Sequence, residues 1–279
     1  MKGRLIKKIV STLGRKNKKC FLKSFRPDWI NNTGKKNNFY VVSFSGAAQF
    51  ADQLLSICSF YKNVGIPQSW TLYSDGSHTV QQLDILAQIK HLIVKRKIPN
   101  QYLPAEATDR FPTLQKIEIL VQTVIKGTTI FTDSDILFFP GFERYKKIIS
   151  TQNWYLVDEA FRYFDSDFLQ TADKKAPPLN LGLVIINTRV NWIPVIHYIN
   201  KKFTQGKLTY WSDQTACHIL ALNEDFTPLL ENDFVVGGSD NFKFKSGFDY
   251  NQIALRHFVG PVRHKLWFLD YKKLFSIKG

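Results

Sequence analysis

Two carboxylates spaced i, i+2 close an apolar run near the middle of this chain, in Thr129-Ile130-Phe131-Thr132-Asp133-Ser134-Asp135-Ile136-Leu137-Phe138-Phe139-Pro140. Ionised carboxylates are seldom buried without a partner, so two of them framed by apolar residues ask for a cation. Their hard oxygens suit Mg²⁺ or Mn²⁺. Such an ion can also take oxygens from a diphosphate and stabilise it as a leaving group. A bare D-x-D is common, and the competing reading is a strand-end turn with two solvated acids. The chain carries its own comparison, because Asp165-Ser166-Asp167 repeats the D-S-D without an apolar strand to deliver it. That copy reads as loop, or as the rim of an acceptor site. Asp158 and Glu159 follow another apolar run, Trp154 to Val157, and are expected to contact a bound substrate.

The elements that must position these residues are legible from periodicity. Phe39 to Phe44 reads as a buried strand, and Phe50 to Lys62 as an amphipathic helix. Trp70 to Tyr73 is a second strand, stopped by Ser74-Asp75-Gly76. Val80 to Ile89 is a helix and Leu92 to Val94 a third strand. Thr113 to Lys126 is a helix with Leu114, Ile117, Leu120, Val121 and Val124 as its stripe, and Gly127 ends it. Thr128 to Thr132 then leads into Asp133. Further strands are expected at Trp154–Val157 and Leu183–Ile186, and further helices at Ile193–Phe203 and Asp213–Leu220. Strand and helix alternate, which predicts one α/β, Rossmann-like domain with a mainly parallel central sheet flanked by helices. Ligands of such sheets bind beyond the carboxyl ends of the strands.

Charge divides the chain in two. The net charge is +15, yet residues 1–36 hold twelve Lys and Arg against one acid, Asp28. A nucleic-acid-binding domain would carry its charge on the folded face, so no nucleic-acid partner is expected. Leu5, Ile6, Ile9, Val10 and Leu13 recur at helical spacing among lysines. They predict a short amphipathic helix ended by Gly14, then a basic linker from Arg15 to Lys19. Residues 1–36 are therefore read as a basic arm able to meet an anionic membrane surface, and residues 37–279 as the catalytic domain. No stretch reaches the ~20 apolar residues of a membrane span, and no secretory signal is evident. Cys20, Cys58 and Cys217 form no CxxC pair, which argues against a disulfide framework or a thiolate zinc site. A cytoplasmic location is expected, or a peripheral one on the inner face of a membrane.

Four segments in order carry a family resemblance. Phe131 to Phe139 resembles the D-x-D segment of nucleotide-sugar glycosyltransferases with the GT-A fold. Asn180-Leu181-Gly182 leading into Leu183-Val184-Ile185-Ile186, Ser212-Asp213-Gln214 opening a helix, and His257-Phe258-Val259-Gly260 followed by Lys265-Leu266-Trp267 are similar to glycosyltransferase family 8. That family holds the retaining galactosyl- and glucosyltransferases, glycogenins among them. The resemblance spans about residues 39–267. It implies Asp133 and Asp135 as metal ligands with His257 as the third, and Mn²⁺ or Mg²⁺ as the ion. It implies that Gly260 lets the backbone approach a diphosphate. The family's phosphate-binding Lys falls where Arg263 stands, and Lys265 comes two residues later, so either could meet the phosphates. Asn180 would contact the donor sugar, and Asp213 and Gln214 would face its anomeric carbon. Lys116, Ser134 and Asp158 would join the donor site, with Asp158 and Glu159 touching the donor sugar or the acceptor, and Ser43 and Ser45, at the end of the first strand, would lie under the base.

The implied activity is transfer of a hexose from a nucleotide-diphosphate sugar, UDP-linked in the first instance, to a glycan or glycolipid hydroxyl with retention. Each residue also has a plainer reading. His257 could be a core histidine, Gln214 a first-turn helix residue after Ser212, Asn180 a loop end after Pro177-Pro178, and Lys116, Arg263 and Lys265 solvated charges. The competing functions are a nucleotidyltransferase that makes sugar nucleotides and a sugar-nucleotide binder without turnover. Ser45-Gly46-Ala47-Ala48 lacks the Arg and most of the Gly of a nucleotidyltransferase loop.

Overall fold

The apolar runs are unbroken because both faces of the strands are covered. The structure, a computed structural model, describes residues 2–32, 34–96, 98–158, 165 and 177–271. The strands are β1 (Tyr40–Ser45), β2 (Ser69–Ser74), β3 (Leu92–Lys95), β4 (Thr129–Thr132), β5 (Ile136–Phe138), β6 (Trp154–Val157), β7 (Leu179–Ile186), β8 (Thr227–Pro228), β9 (Phe234–Val235) and β10 (Leu255–His257). The helices are α1 (Lys2–Ser24), α2 (Asp28–Asn31), α3 (Phe50–Asn63), α4 (Val80–Ala87), α5 (Ala105–Arg110), α6 (Gln115–Gln122), α7 (Ile193–Thr204) and α8 (Ser212–Asn223).

The main sheet runs β3-β2-β1-β4-β7-β6-β8. Pairing is parallel from β3 to β4 and antiparallel on both sides of β7. Alternate residues of one strand feed two cores. Val41, Ile130, Leu183 and Ile185 pack with Leu54, Ile57 and Phe60 of α3. Val42, Phe131, Val184 and Ile186 pack with Ile117 and Leu120 of α6 and with Val195, Ile199 and Leu220 of α7 and α8. The expected α/β sheet between helical layers is therefore present.

Strand order reverses between β1 and β4, since β2 lies on one side of β1 and β4 on the other. A crevice opens beyond the carboxyl ends at such a reversal. Asp133 follows β4 directly. A second, three-stranded sheet, β5-β10-β9, forms beside it. Its antiparallel register sets His257 opposite Ile136.

Three local expectations need correction. The helix expected over Thr113–Lys126 is α6 alone, preceded by a 3-10 turn at Pro112–Leu114. It stops at Thr123, whose ψ of 120° is extended. The β-branched Thr123-Val124-Ile125 run disfavours helix, so Gly127 is not its end. Gly14 does not end the first helix, which continues to Ser24 through the supposed linker. Val10, Gly14 and Phe21 are buried, and a Cβ on Gly14 would sit 3.4 Å from the His264 carbonyl and the Trp267 side chain. The glycine serves close approach, and α1 lies against the protein body.

Candidate functional site

Strand ends and one register bring the ligand candidates together. The Asp133 N–H donates to the Gly182 carbonyl at 2.8 Å, and the Phe258 N–H donates to the Asp135 carbonyl at 2.9 Å. These bonds tie the D-S-D turn to β7 and β10. One ligand atom each from Asp133, Asp135 and His257 then lies within 4.8 Å of the others. His257 Nε2 is 3.1 Å from Asp135 Oδ1 and 3.7 Å from Asp133 Oδ2.

Asn180 orients that ring. Its Oδ1 accepts from the Gly182 N–H at 2.8 Å, and its Nδ2 donates to Asp158 Oδ2 at 3.1 Å. Both contacts fix Asn180 Oδ1 as an acceptor, so His257 Nδ1, 3.0 Å away, is the donor. The imidazole can then offer Nε2 to a cation, as metal-bound histidines do when the other nitrogen is held. Two carboxylates and one imidazole nitrogen fit Mn²⁺ or Mg²⁺.

Two cations of the chain already approach these acids, and a third pairs with a neighbouring one. Lys116 Nζ lies 2.5 Å from Asp133 Oδ1, and Arg263 reaches Asp135 Oδ2 with NH2 at 2.5 Å and Nε at 3.1 Å. Lys18 of α1 pairs with Asp52 of α3 at 3.0 Å. Burial pushes the Asp135 carboxyl up, but His257 and Arg263 outweigh it and hold the group well below the usual carboxylate range. Burial lowers Lys116, and Asp133 and Asp213 more than restore it. Asp213 goes the other way. Burial raises it to about 6, only partly offset by Lys116.

The carboxylate pair sits between two lobes of one cleft. A lobe of about 500 Å³ is lined by Asp158, Asn180, Gly182, Trp211, Asp213, Gln214, His257 and Gly260. The other, of about 490 Å³, is lined by Lys18, Ser45, Gly46, Asp52, Asp75 and Ser134. Lys116, Asp133, Tyr210 and Arg263 border both. Gln214 Oε1 in one lobe and Ser45 Oγ in the other are buried without a hydrogen-bond partner among the described residues. Buried polar atoms are rarely left so, and both are suited to contact a polar ligand.

No family model matches the chain, and no curated protein matches it. Solved structures do. Galactosyltransferase LgtC, in complex with donor and acceptor sugar analogs, aligns with a TM-score of 0.58 at 11% identity, over 85% of this chain and 94% of that one. The glycosyltransferase GlyE of Streptococcus pneumoniae TIGR4 aligns with a TM-score of 0.50 at 13% identity, over 86% of this chain and 63% of that one. The fold is GT-A.

Within this GT-A fold the structure brings most of the expected site residues to one cleft. Asp133, Ser134, Asp135, Asp158, Asn180, Asp213, Gln214, His257, Gly260, Arg263, Lys116 and Ser45 all border it. Two do not. Ser43 is fully buried and accepts from the Trp70 indole N–H at 2.8 Å. Lys265 turns away, donating to Asp240 Oδ2 at 2.9 Å and to the Asp240 carbonyl at 2.6 Å. Arg256 binds the same carboxylate at 2.6 Å. Lys265 thus belongs to a buried charge cluster, and Arg263 is the cation that faces the cleft. Asn180 reaches the ligand set through His257 as well as lining the first lobe. A Cβ on Gly260 would meet nothing within 4 Å. Packing inside the protein requires glycine at Gly182, whose Cβ would strike His257.

The first acid of the second D-S-D lies outside helix and strand, as a loop residue would, but it is buried rather than at a rim. Asp165 is buried, accepts from Thr209 Oγ1 at 2.9 Å and from the Tyr198 hydroxyl, and ties the chain to α7 and α8. Asp167 and Glu159 lie outside the described residues. Sequence reasoning missed Asp52, Asp75, Tyr210, Trp211 and Lys18. Only Asp75, in the turn Ser74-Asp75-Gly76, carried a local signal.

Proposed function

We propose that this chain is a metal-dependent hexosyltransferase. The donor is a nucleotide-diphosphate sugar, UDP-linked in the first instance, and the acceptor is a hydroxyl of a glycan or glycolipid. The observation that carries the reading is the convergence of Asp133, Asp135 and His257 Nε2 on one point between two lobes. The nucleotide would take the lobe lined by Ser45 and Asp52, and the sugar the lobe lined by Asp213 and Gln214, with the diphosphate between them. Charge supports the order of binding. Three cations, Lys18, Lys116 and Arg263, face four carboxylates, Asp52, Asp75, Asp133 and Asp135, along the nucleotide-side lobe. The lobe alone has one net negative charge and repels a diphosphate. A divalent cation, when bound, reverses that sign and offsets charge on the departing diphosphate.

The chain's own residues do the rest. Arg263 presents a guanidinium to the leaving phosphate oxygens, where its fork suits bidentate contact. Asn180 holds His257 in one tautomer. Asp213 and Gln214, at the start of α8, face the sugar side. Gln214 is a poor nucleophile, so same-face attack by the acceptor hydroxyl, assisted by the leaving phosphate, gives retention. Residues 37–279 supply the ligand triad and Arg263, and Lys18 of α1 joins them at the lobe.

The outward face of α1 supports a membrane partner. Leu5 is 60% exposed, and Ile9 and Leu13 are 39% and 43% exposed, one turn apart. Lys2, Arg4, Lys8, Arg15, Lys16 and Lys19 are exposed on the same helix, and among the described residues no helix is long and apolar enough to cross a membrane. An apolar stripe among cations fits an anionic lipid surface. The enzyme would then work as a peripheral protein on the cytoplasmic face.

The test of the activity is incubation with a panel of nucleotide sugars and Mn²⁺, scoring donor hydrolysis and transfer. Turnover is expected with Mn²⁺ and lost in EDTA, and Asp135→Asn abolishes it without lowering the thermal midpoint much. Full activity in EDTA sinks the metal role. Donor binding with no turnover on any acceptor points to a non-catalytic binder, and consumption of added pyrophosphate with release of a nucleoside triphosphate and sugar 1-phosphate to a nucleotidyltransferase.

A further inference from the structure

The helix that the sequence presents as a detached basic arm delivers one side chain into the nucleotide-side lobe. Alone among the basic residues of α1, Lys18 lines that cavity, with Asp52, Ser45 and Arg263 around it. Its position is built. Asn17 donates to the Trp267 carbonyl at 2.9 Å, Phe21 packs on the Trp267 ring with centroids 5.0 Å apart, and Gly14 lets the backbones close. Trp267 in turn donates its indole N–H to Asp52 Oδ1 at 2.5 Å, the oxygen that Lys18 Nζ reaches at 3.0 Å.

Asp52 is the reason a cation is needed there. It is 8% exposed, borders the lobe and acts electrostatically on Arg263. An unpaired carboxylate at that wall would oppose any phosphate group drawn to Arg263. The neutral indole N–H cannot cancel its charge. Lys18 does, and an ammonium has three donors, of which Asp52 takes one.

Resting on the donor reading above, we infer that Lys18 is a binding residue for the nucleoside diphosphate end of the donor, masking Asp52 and adding a phosphate contact from α1. The donor site is therefore made of three walls: the end of β1, the turn that carries Arg263, and the N-terminal helix. Lys18 sets affinity for the phosphorylated end and leaves the ligand triad alone.

The experiment is calorimetric titration of the full chain with UDP, GDP, CDP and ADP in Mn²⁺, and with Mn²⁺ alone. Lys18→Met is expected to weaken the best nucleoside diphosphate about tenfold, or 1.4 kcal/mol. It leaves Mn²⁺ affinity and the thermal midpoint near wild type, and Lys18→Arg restores most of the loss. Unchanged diphosphate affinity in Lys18→Met overturns the inference. So does a joint loss of Mn²⁺ affinity and stability with no rescue by Arg, which marks a packing role. A wild-type chain that takes up none of the four diphosphates overturns the donor reading and this inference together, whereas the first two results leave that reading standing.

Discussion

Gly182→Ala separates the ligand triad from the fold that carries it. Gly182 lies in β7 without a positive φ, so alanine is allowed by the backbone. Its new methyl is not allowed by the neighbours. The Cβ would stand 2.7 Å from Asn180 Oδ1 and closer still to Nδ1 and Cε1 of His257. Non-bonded carbon contacts settle near ~3.5–4.0 Å, so the ring must retreat by about 1 Å or the strand must shift. A metal site tolerates about ±0.2 Å in ligand distance. His257 therefore leaves the triad while Asp133 and Asp135 remain. Disturbing even the support of a metal-bound histidine weakens metal about 10- to 100-fold. We expect the upper end, about 2.7 kcal/mol, and an overpacking cost of about 1–3 kcal/mol in stability. The assay is Mn²⁺ titration followed by calorimetry or by electron spin resonance of the free ion, beside a thermal melt. A double-mutant cycle sharpens it. In a His257→Ala background the methyl enters the space of the lost ring, so Gly182→Ala adds almost no further loss of metal affinity, while the 2.7 Å approach to Asn180 Oδ1 keeps part of the stability cost. Wild-type Mn²⁺ affinity in Gly182→Ala, or full additivity with His257→Ala, refutes the reasoning.

Two other outcomes follow from charge. Burial raises Asp213 to about 6, above its ordinary value near 3.8, so ionising it opposes folding. The sign runs with pH: the cost is absent below about 3.8, grows between about 4 and 6, and is complete above. Asp213→Asn, which stays neutral, should raise the thermal midpoint at pH 8 and leave it near wild type at pH 4. An equal gain at both pH values removes the argument. For the membrane, Leu5→Glu with Ile9→Glu and Leu13→Glu should abolish co-sedimentation with anionic vesicles and leave the fold intact, because all three are exposed. Removal of residues 1–36 is the poorer test, since it uncovers the Trp267 side that α1 packs against. Each cation near an anionic leaflet is worth about 1 kcal/mol, so wild-type binding should fall steeply with salt, and equal uptake by neutral vesicles excludes the anchor.

The layers were legible because the periodicities that make them are local. β6 runs over the residues expected, Trp154–Val157, and β1 and α3 end within a residue of expectation. The D-S-D pair was legible because acids at the end of an apolar strand conflict with packing. Pairing was harder to read. β7 looks like any other apolar run, yet it lies antiparallel between β4 and β6, and antiparallel and parallel strands buried on both faces share one pattern. His257 met Asp135 only through resemblance. The register that joins β10 to β5 spans more than a hundred residues, and no local signal encodes it.

Lysines show the limit most sharply. Lys18 and Lys265 sit in similar basic, aromatic-flanked surroundings in the sequence, and their fates are opposite. Lys265 has its ammonium committed to Asp240, and a buried charge of that kind must be paired before it can be folded at all. Lys18 keeps 29% of its side chain exposed and pairs with an acid that borders a cavity. What distinguishes them is the location of the counter-charge, Asp240 inside the protein and Asp52 at a cleft wall. Neither acid is near its lysine in the chain. A basic residue's role is thus written in its partner's surroundings, and for Lys18 that partner became visible only once Gly14 had let α1 close on Trp267.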